Sequence, residues 1–277
     1  MTAAPDVLDA RDLAARLAPL PLGRVEVVDR VSSTSTELAR AAAQDPAAWP
    51  DRSVLVADHQ DAGRGRAGRT WTTPRGAALT VSVLLRPDPA RVPVEALGWV
   101  PLLGGLAAAL ALRDLGAPAV LKWPNDVLLP TGTDEPEVAG WGAHRKVAGV
   151  LADVVPGGAV VLGIGLNVAQ RAEQLPVPSA TSLALAGVAV SRADVLVALL
   201  ARWVEADAAW RAAGGVGPVE DWSRLAVTLG RAVRVALPGG GELVGTAVAL
   251  EPDGALRVAH VGGTTLVRAG DVTLRTV

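Results

Sequence analysis

Four strings in this sequence carry side chains suited to chemistry on an anion. The first is Gln60-Asp61-Ala62-Gly63-Arg64-Gly65-Arg66-Ala67-Gly68-Arg69-Thr70-Trp71. Here glycines alternate with arginines: glycine lets backbone approach a ligand closely, and each guanidinium offers a rigid fork of donors to phosphate or carboxylate. Taken alone, this string fits a phosphate-binding loop, a solvated loop or an RNA-binding tract equally well. The second is Lys122-Trp123-Pro124-Asn125-Asp126, which puts a cation, an aromatic ring, an amide and a carboxylate into one turn. Proline, asparagine and aspartate favour turns in any case. The third, Lys146-Val147-Ala148-Gly149-Val150-Leu151-Ala152-Asp153, opens an apolar strand with a lysine. The fourth, Gly163-Ile164-Gly165-Leu166-Asn167-Val168, ends one with two glycines and an amide. It lacks the third glycine and the following helix of a dinucleotide site, and the chain holds no GxxxxGK[ST] phosphate loop.

Composition sharpens the reading. The chain has 277 residues, half of them hydrophobic, with net charge −2, no cysteine, no phenylalanine and no tyrosine. Thiolate catalysis, disulfides and cysteine-based metal sites are excluded, and the charge balance gives no overall case for a nucleic-acid or membrane-surface protein. Of 26 basic residues only Lys122 and Lys146 are lysines, and the only asparagines are Asn125 and Asn167. This fits a GC-rich coding background in which lysine and asparagine persist where substitutes fail, and all four fall within the strings above. The apolar run Gly98–Leu112 is shorter than the roughly 20 residues of a membrane span, and the N-terminal residues lack the uninterrupted apolar stretch of a signal peptide. A soluble, cytoplasmic protein is expected.

The elements that position these strings follow from pattern. Residues 7–19 read as a helix, Arg24–Val31 as a strand, and a second helix starts inside Ser32–Thr36, whose hydroxyls suit an N-cap. Ser53–Asp58 and Ala78–Leu85 are strands flanking a Gly/Arg loop. Pro93–Leu115 is one long helix, and Val120–Trp123 and Val127–Leu129 are short strands. Pro130–Arg145 is an exposed polar loop. Lys146–Val155 and Ala159–Gly165 form a hairpin, Ala169–Ala180 is a loop, and Ser191–Ala213 and Pro218–Leu225 are helices. From Gly230 onward, short β segments separated by glycines predict a small all-β barrel. The expected fold class is α/β (α+β), with a catalytic domain over residues 1–226 and the barrel over 227–277.

Together and in this order, the strings GRGRAGRTW, KWPND, KVAGVLAD and GIGLNV, with Ser33-Thr34 upstream, resemble the biotin–protein ligase family. The resemblance implies an SH2-like mixed-sheet catalytic domain and an SH3-like C-terminal domain. It also implies a two-step reaction: biotin and ATP give biotinyl-5′-AMP, and a lysine of a biotin carboxyl carrier protein then takes the biotin. Lys146, Arg66 and Asp126 are the implied catalytic residues. Ser33, Thr34, Gln60, Gly63, Arg64, Arg66, Lys146, Gly149 and Gly163 are implied on the biotin side. The ATP side is implied at Arg64, Arg66, Arg69, Trp71, Lys122, Asn125, Asp126, Lys146, Gly165 and Asn167. Asp126 is a candidate ligand for the Mg²⁺ that accompanies ATP. Lys122 either serves phosphate or supports its turn, and Trp71 either covers the ligand or anchors its loop. The Gly/Arg loop and the Ala169–Ala180 loop are the expected lids, mobile without ligand. The sequence departs from the pattern in the length of Pro130–Arg145, which contains Asp134, Glu135 and Glu137 and receives no function. Some 23 residues before the first strand are too few for the DNA-binding domain of repressor members, so DNA is not an expected partner. A lipoate–protein ligase, or a nucleic-acid-binding protein using the Gly/Arg loop, are the alternatives.

Overall fold

Alternation along two central strands divides this molecule into a packed side and a working side. On β5 (Ala78–Leu85), Leu79, Val81, Val83 and Leu85 enter the main core, while Thr80, Ser82 and Leu84 point to the opposite face. On β9 (Val160–Asn167), Leu162, Ile164 and Leu166 enter that core, whereas Gly163 and Gly165 leave the opposite face bare. The structure, a computed structural model, describes residues 7–132 and 136–274. Asp134 and Glu135 of the polar stretch, and residues 275–277 of the expected barrel, lie outside the described residues.

The remaining elements run in the order α1 (Ala10–Leu17), β1 (Val25–Val31), α2 (Thr34–Gln44), β2 (Val54–Gln60), β3 (Gly63–Arg64) and β4 (Thr70–Trp71), before β5. Then come α3 (Val100–Asp114), β6 (Val120–Lys122), β7 (Asp126–Pro130), β8 (His144–Val154), and, after β9, α4 (Arg192–Ala212) and α5 (Val219–Leu225). Seven strands form a mixed sheet in the order β1-β2-β5-β9-β8-β7-β6, in which only β1 and β2 are parallel. The α2 crossover makes that parallel pair possible. Helices α3 and α4 cover the main core, and α2 closes a smaller apolar cluster of Leu38, Ala42, Trp49, Leu55, Leu84 and Val161 on the other face. The C-terminal strands β10 (Ala232–Ala236), β11 (Glu242–Leu250), β12 (Leu256–His260), β13 (Gly263–Val267) and β14 (Asp271–Leu274) make an antiparallel sheet, with β14 returning beside β10. The fold is therefore mixed α/β with a C-terminal antiparallel β unit, as the sequence implies.

Three expectations need correction. The helix expected over Pro93–Leu115 is a 3₁₀ segment, Val94–Trp99, followed by α3, because Pro101 has no N–H to give and fits only the first turn of an α-helix. The combined run Val94–Asp114 is long and apolar enough to cross a membrane, but two thirds of it is buried inside the fold, as in a core helix. The Gly/Arg segment is no simple loop: β3 and β4 pair as a two-stranded ribbon, with Gly63 opposite Trp71 and Arg64 opposite Thr70. Nor is the stretch after β7 wholly exposed, since Gly140 and Arg145 are buried.

A charge cluster ties α4 to the edge of the sheet. Asp207 is fully buried and receives Arg52 at 2.7 Å and Arg211 at 2.8 Å. Removing the carboxylate strands two guanidinium groups that are largely out of water. Asp207→Ala is expected to cost about 3 kcal/mol in urea unfolding with an unchanged denaturant slope. A loss below about 1 kcal/mol would mean that Asp51, 3.0 Å from Arg211, and solvent suffice.

Candidate active site

The bare face of the sheet opens into a cavity of about 650 Å³, within the roughly 300–1,000 Å³ usual for a small-molecule site. Its floor is the paired strands β8 and β9, where Gly149 lies opposite Gly165. A Cβ would meet the Ser35 Oγ at 2.3 Å from Gly163, the Trp71 ring at 2.5 Å from Gly165 and the Lys146 Nζ at 2.8 Å from Gly149. Gly163 and Gly165 are thus favoured by close approach rather than by backbone conformation, whereas at Gly149 the neighbour is the movable end of the Lys146 side chain.

One end of the cavity is a buried polar nest. Ser33 caps α2 at its N-terminus. The Thr34 N–H and hydroxyl both donate to the Gln60 carbonyl oxygen, at 2.7 and 3.0 Å, and Ser82 donates to the Thr34 hydroxyl at 2.8 Å. Ser35 and Ser82 hydroxyls are 2.9 Å apart. Such a nest costs desolvation unless its spare donors and acceptors are used. Ser33, Thr34 and Gln60 were expected from sequence. Ser35 and Ser82 were not, although a serine amid the apolar residues of β5 is the signal that marks Ser82.

At the other end stands a row of charges. Asp126, at the start of β7, accepts Lys146 Nζ on one carboxylate oxygen at 2.5 Å and Lys122 Nζ on the other at 3.1 Å. Lys122 and Asp126 are buried, and Lys146 faces the cavity. Burial alone pushes the Asp126 carboxyl up, but the two ammonium groups overcome it and hold it below the usual carboxylate range. Burial also pulls the Lys122 ammonium below the ordinary lysine range, against the opposing pull of Asp126. An aromatic ring lies beyond each lysine: Trp71 with its centroid 5.7 Å from Lys146 Nζ, and Trp141 at 4.4 Å from Lys122 Nζ. The Trp71 indole N–H is buried without a hydrogen-bond partner.

The arginine ribbon roofs this end. Arg64 pairs with Asp153 at 2.5 Å, Arg69 with Asp271 at 2.8 Å, and Arg66 donates to the Gly270 carbonyl at 3.2 Å. Each arginine of the ribbon is thus held by a polar group of the chain itself, and the last two partners come from β14 and the residue before it. The segment after β9 supplies the remaining wall through Pro176, Val177, Ser179 and Ala180. It is laced to the Lys146 backbone, whose N–H donates to Ser179 (2.7 Å) and whose carbonyl accepts from Thr181 (2.9 Å).

Most of the residues singled out from sequence therefore surround one cavity, with three qualifications. Gly63 is buried in the ribbon and does not line the cavity, and Lys122 stands behind Asp126 on a smaller adjoining cleft. Asn125 and Asn167 line the cavity but use their amides structurally: Asn125 donates to the Val150 carbonyl at 2.8 Å, and Asn167 donates to Thr181 and accepts from Gln170. Among the described residues no group of three or more His, Asp or Glu side chains is placed to hold a metal, and both Asp126 oxygens already face ammonium groups. The donor set does not fit a resident metal ion.

Because Asp126 is held below its ordinary range, its folded form binds a proton less readily than its unfolded form. Its stabilising contribution is full above the unfolded pKa, near 4, and fades as pH falls through the lower folded value. Asp126→Asn is expected to be less stable than the parent at pH 7 and to converge with it on acidification below about pH 4. Urea unfolding across pH checks this; a stability gap that does not change with pH would contradict it.

Comparison with known proteins bears on the same residues. Residues 27–168 match the model of the biotin/lipoate A/B protein ligase family, and residues 228–275 match that of the biotin protein ligase C-terminal domain. The chain is 39% identical over 276 residues to biotin--[acetyl-CoA-carboxylase] ligase of Mycobacterium tuberculosis, covering 96% of this chain and 95% of the relative. It is 31% identical to the ligase of the same name from Paracoccus denitrificans, covering 88% and 97%. The biotin protein ligase of Aquifex aeolicus, solved with biotin and ATP, superposes with a TM-score of 0.71 at 27% identity, covering 92% of this chain and 99% of that one.

Proposed function

The chain belongs to the biotin/lipoate A/B protein ligase family, and from that premise we propose how its residues divide the work of a biotin–protein ligase. The reaction is an AMP-forming ligation. The biotin carboxylate attacks the α-phosphorus of ATP, pyrophosphate leaves, and biotinyl-5′-AMP forms. A lysine amine of the acceptor then attacks the acyl carbon, AMP leaves with the electron pair of the broken anhydride bond, and the amine loses a proton.

The observation that carries the assignment of roles is the position of Lys146. It faces the cavity between the polar nest and the arginine ribbon, with its ammonium fixed by Asp126. The difficulty in the first step is bringing a carboxylate against a polyanion, which positive charge and alignment relieve. Lys146 bridges the biotin carboxylate and an α-phosphate oxygen, neutralising charge where the anhydride forms and again where it breaks. Arg64, Arg66 and Arg69 exchange their present partners for phosphate oxygens, which accept bidentate donation. Ser33, Thr34, Ser35 and Gln60, which line the cavity, meet the donors and acceptors of the ureido ring, with the buried Ser82 supporting Thr34 and Ser35 from behind.

This nest also separates biotin from lipoate. A dithiolane ring placed there offers no donors or acceptors for which the nest could exchange its internal hydrogen bonds, so it gains none of the polar binding open to a ureido group. Mg²⁺ enters with ATP, bound chiefly by phosphate oxygens. The acceptor is a lysine of a biotin carboxyl carrier domain, and Asp126 orients the incoming amine rather than deprotonating it, because it is held ionised by two cations and is a weak base. The mixed-sheet domain houses both half-sites, and the C-terminal sheet holds Arg69 and Arg66 through Asp271 of β14 and Gly270 before it. The cytoplasm, with its ATP and reducing conditions, is the proposed compartment.

Pyrophosphate release from MgATP tests this, with biotin or lipoate supplied separately. Release is expected to require biotin and to fall by about 10²-fold or more in Lys146→Ala. Equal release with lipoate would overturn the specificity, and full activity in the variant would remove Lys146 from the chemistry.

A further inference from the structure

The segment between β7 and β8 has no part in the chemistry above, yet it reaches the charged end of the site. Two glycines in left-handed backbone, Gly140 (φ 82°) and Gly142 (φ 57°), bracket Trp141. Val138 closes the turn they make: its N–H donates to the Gly142 carbonyl at 3.2 Å, and the Gly142 N–H returns a bond of 3.0 Å. On its far side, the Gly140 carbonyl accepts from the Leu274 N–H of β14 at 3.1 Å. A Cβ on Gly140 would stand 2.6 Å from Thr273. The turn is therefore clamped to the C-terminal sheet with its single aromatic side chain directed at Lys122.

We propose that Trp141 is a positioning residue for the nucleotide end of the reaction: its ring holds the Lys122 ammonium against Asp126 and so keeps the carboxylate aligned on Lys146. This rests on the assignment of that charge row to the ATP side. The Lys122 ammonium has three N–H donors, and Asp126 engages it with one oxygen at 3.1 Å. The face of an indole is the strongest aromatic partner for a cation, and its worth rises where water is excluded, as it is here. Trp141 also borders both the main cavity and the adjoining cleft of about 220 Å³, whose walls include Arg69, Lys122, Asp126 and Thr273. Without the ring, the flexible lysine stem is free to swing into that cleft. Asp126 then loses one of its two cations, and Lys146 keeps a partner whose own position is no longer fixed. The same turn contacts β14, which holds Arg69, so the C-terminal sheet reaches the charge row by two routes, one through the arginine ribbon and one through Trp141.

The test compares Trp141→Ala and Trp141→Phe with the parent in the full chain, by calorimetric titration with MgATP and by biotin-dependent pyrophosphate release. Trp141→Ala is expected to raise both the Kd and the KM for ATP about tenfold while the KM for biotin changes less than about twofold. Trp141→Phe, which keeps a ring face, is expected to recover most of the loss. A Trp141→Ala protein indistinguishable from the parent, an equal loss for ATP and biotin, or a Trp141→Phe protein no better than Trp141→Ala would overturn the proposal. A parent protein that binds MgATP but releases no pyrophosphate with biotin would instead overturn the ligase roles, and the effect of Trp141 on nucleotide affinity would still be read from the titration.

Discussion

One carboxylate shared by two ammonium groups, in a place where water is largely excluded, is the constraint around which this molecule is arranged. Asp126 cannot be left there alone, because a buried charge without partners costs several kcal/mol. Lys122 answers it from behind and Lys146 from the cavity side. The same pairing makes Lys146 a fixed point charge instead of a long side chain with many rotamers, which is what a reaction between two anions requires. The β6–β7 turn exists to deliver two members of the row: Lys122 is the last residue of one strand and Asp126 the first of the next, and they pair directly across the turn.

The rest of the sheet serves the same end by subtraction. Period-two alternation sends the aliphatic residues of β5 and β9 into the core under α3 and α4. Beside the apolar cluster under α2, the opposite face carries hydroxyls and glycines, leaving a floor on which the Trp71 ring and Ser35 stand closer than a Cβ would permit. The polar nest and the charge row lie at opposite ends of that floor, matching a substrate with a neutral polar ring at one end and a carboxylate at the other. The C-terminal sheet completes the enclosure by holding the arginine ribbon through Asp271 and Gly270.

Much of this was legible in the sequence. The mixed α/β architecture followed from strand and helix periodicity, and the charge row from the family resemblance, with the chain's only two lysines as a pointer to two of its members. What the sequence hid has physical reasons. Ser35 and Ser82 act only because α2 and β5 meet, a long-range packing fact with no local pattern. The β3–β4 ribbon is too short to show alternation. The family resemblance implies ligand contacts for Asn125 and Asn167, yet their amides also tie backbone carbonyls that no motif reveals. Trp141 lay in a stretch that looked like solvent-exposed loop, because two glycines beside an aromatic residue do not announce what that residue will touch.

The proposed roles require Asp126 and Lys146 to act as one unit in forming the acyl-adenylate. A double-mutant cycle on the rate of biotinyl-AMP formation, with Asp126→Asn, Lys146→Ala and the pair together, tests it most directly. A double variant hardly slower than Lys146→Ala alone is the predicted result. Losses that simply add would show that the carboxylate does not act through Lys146, and would contradict the account.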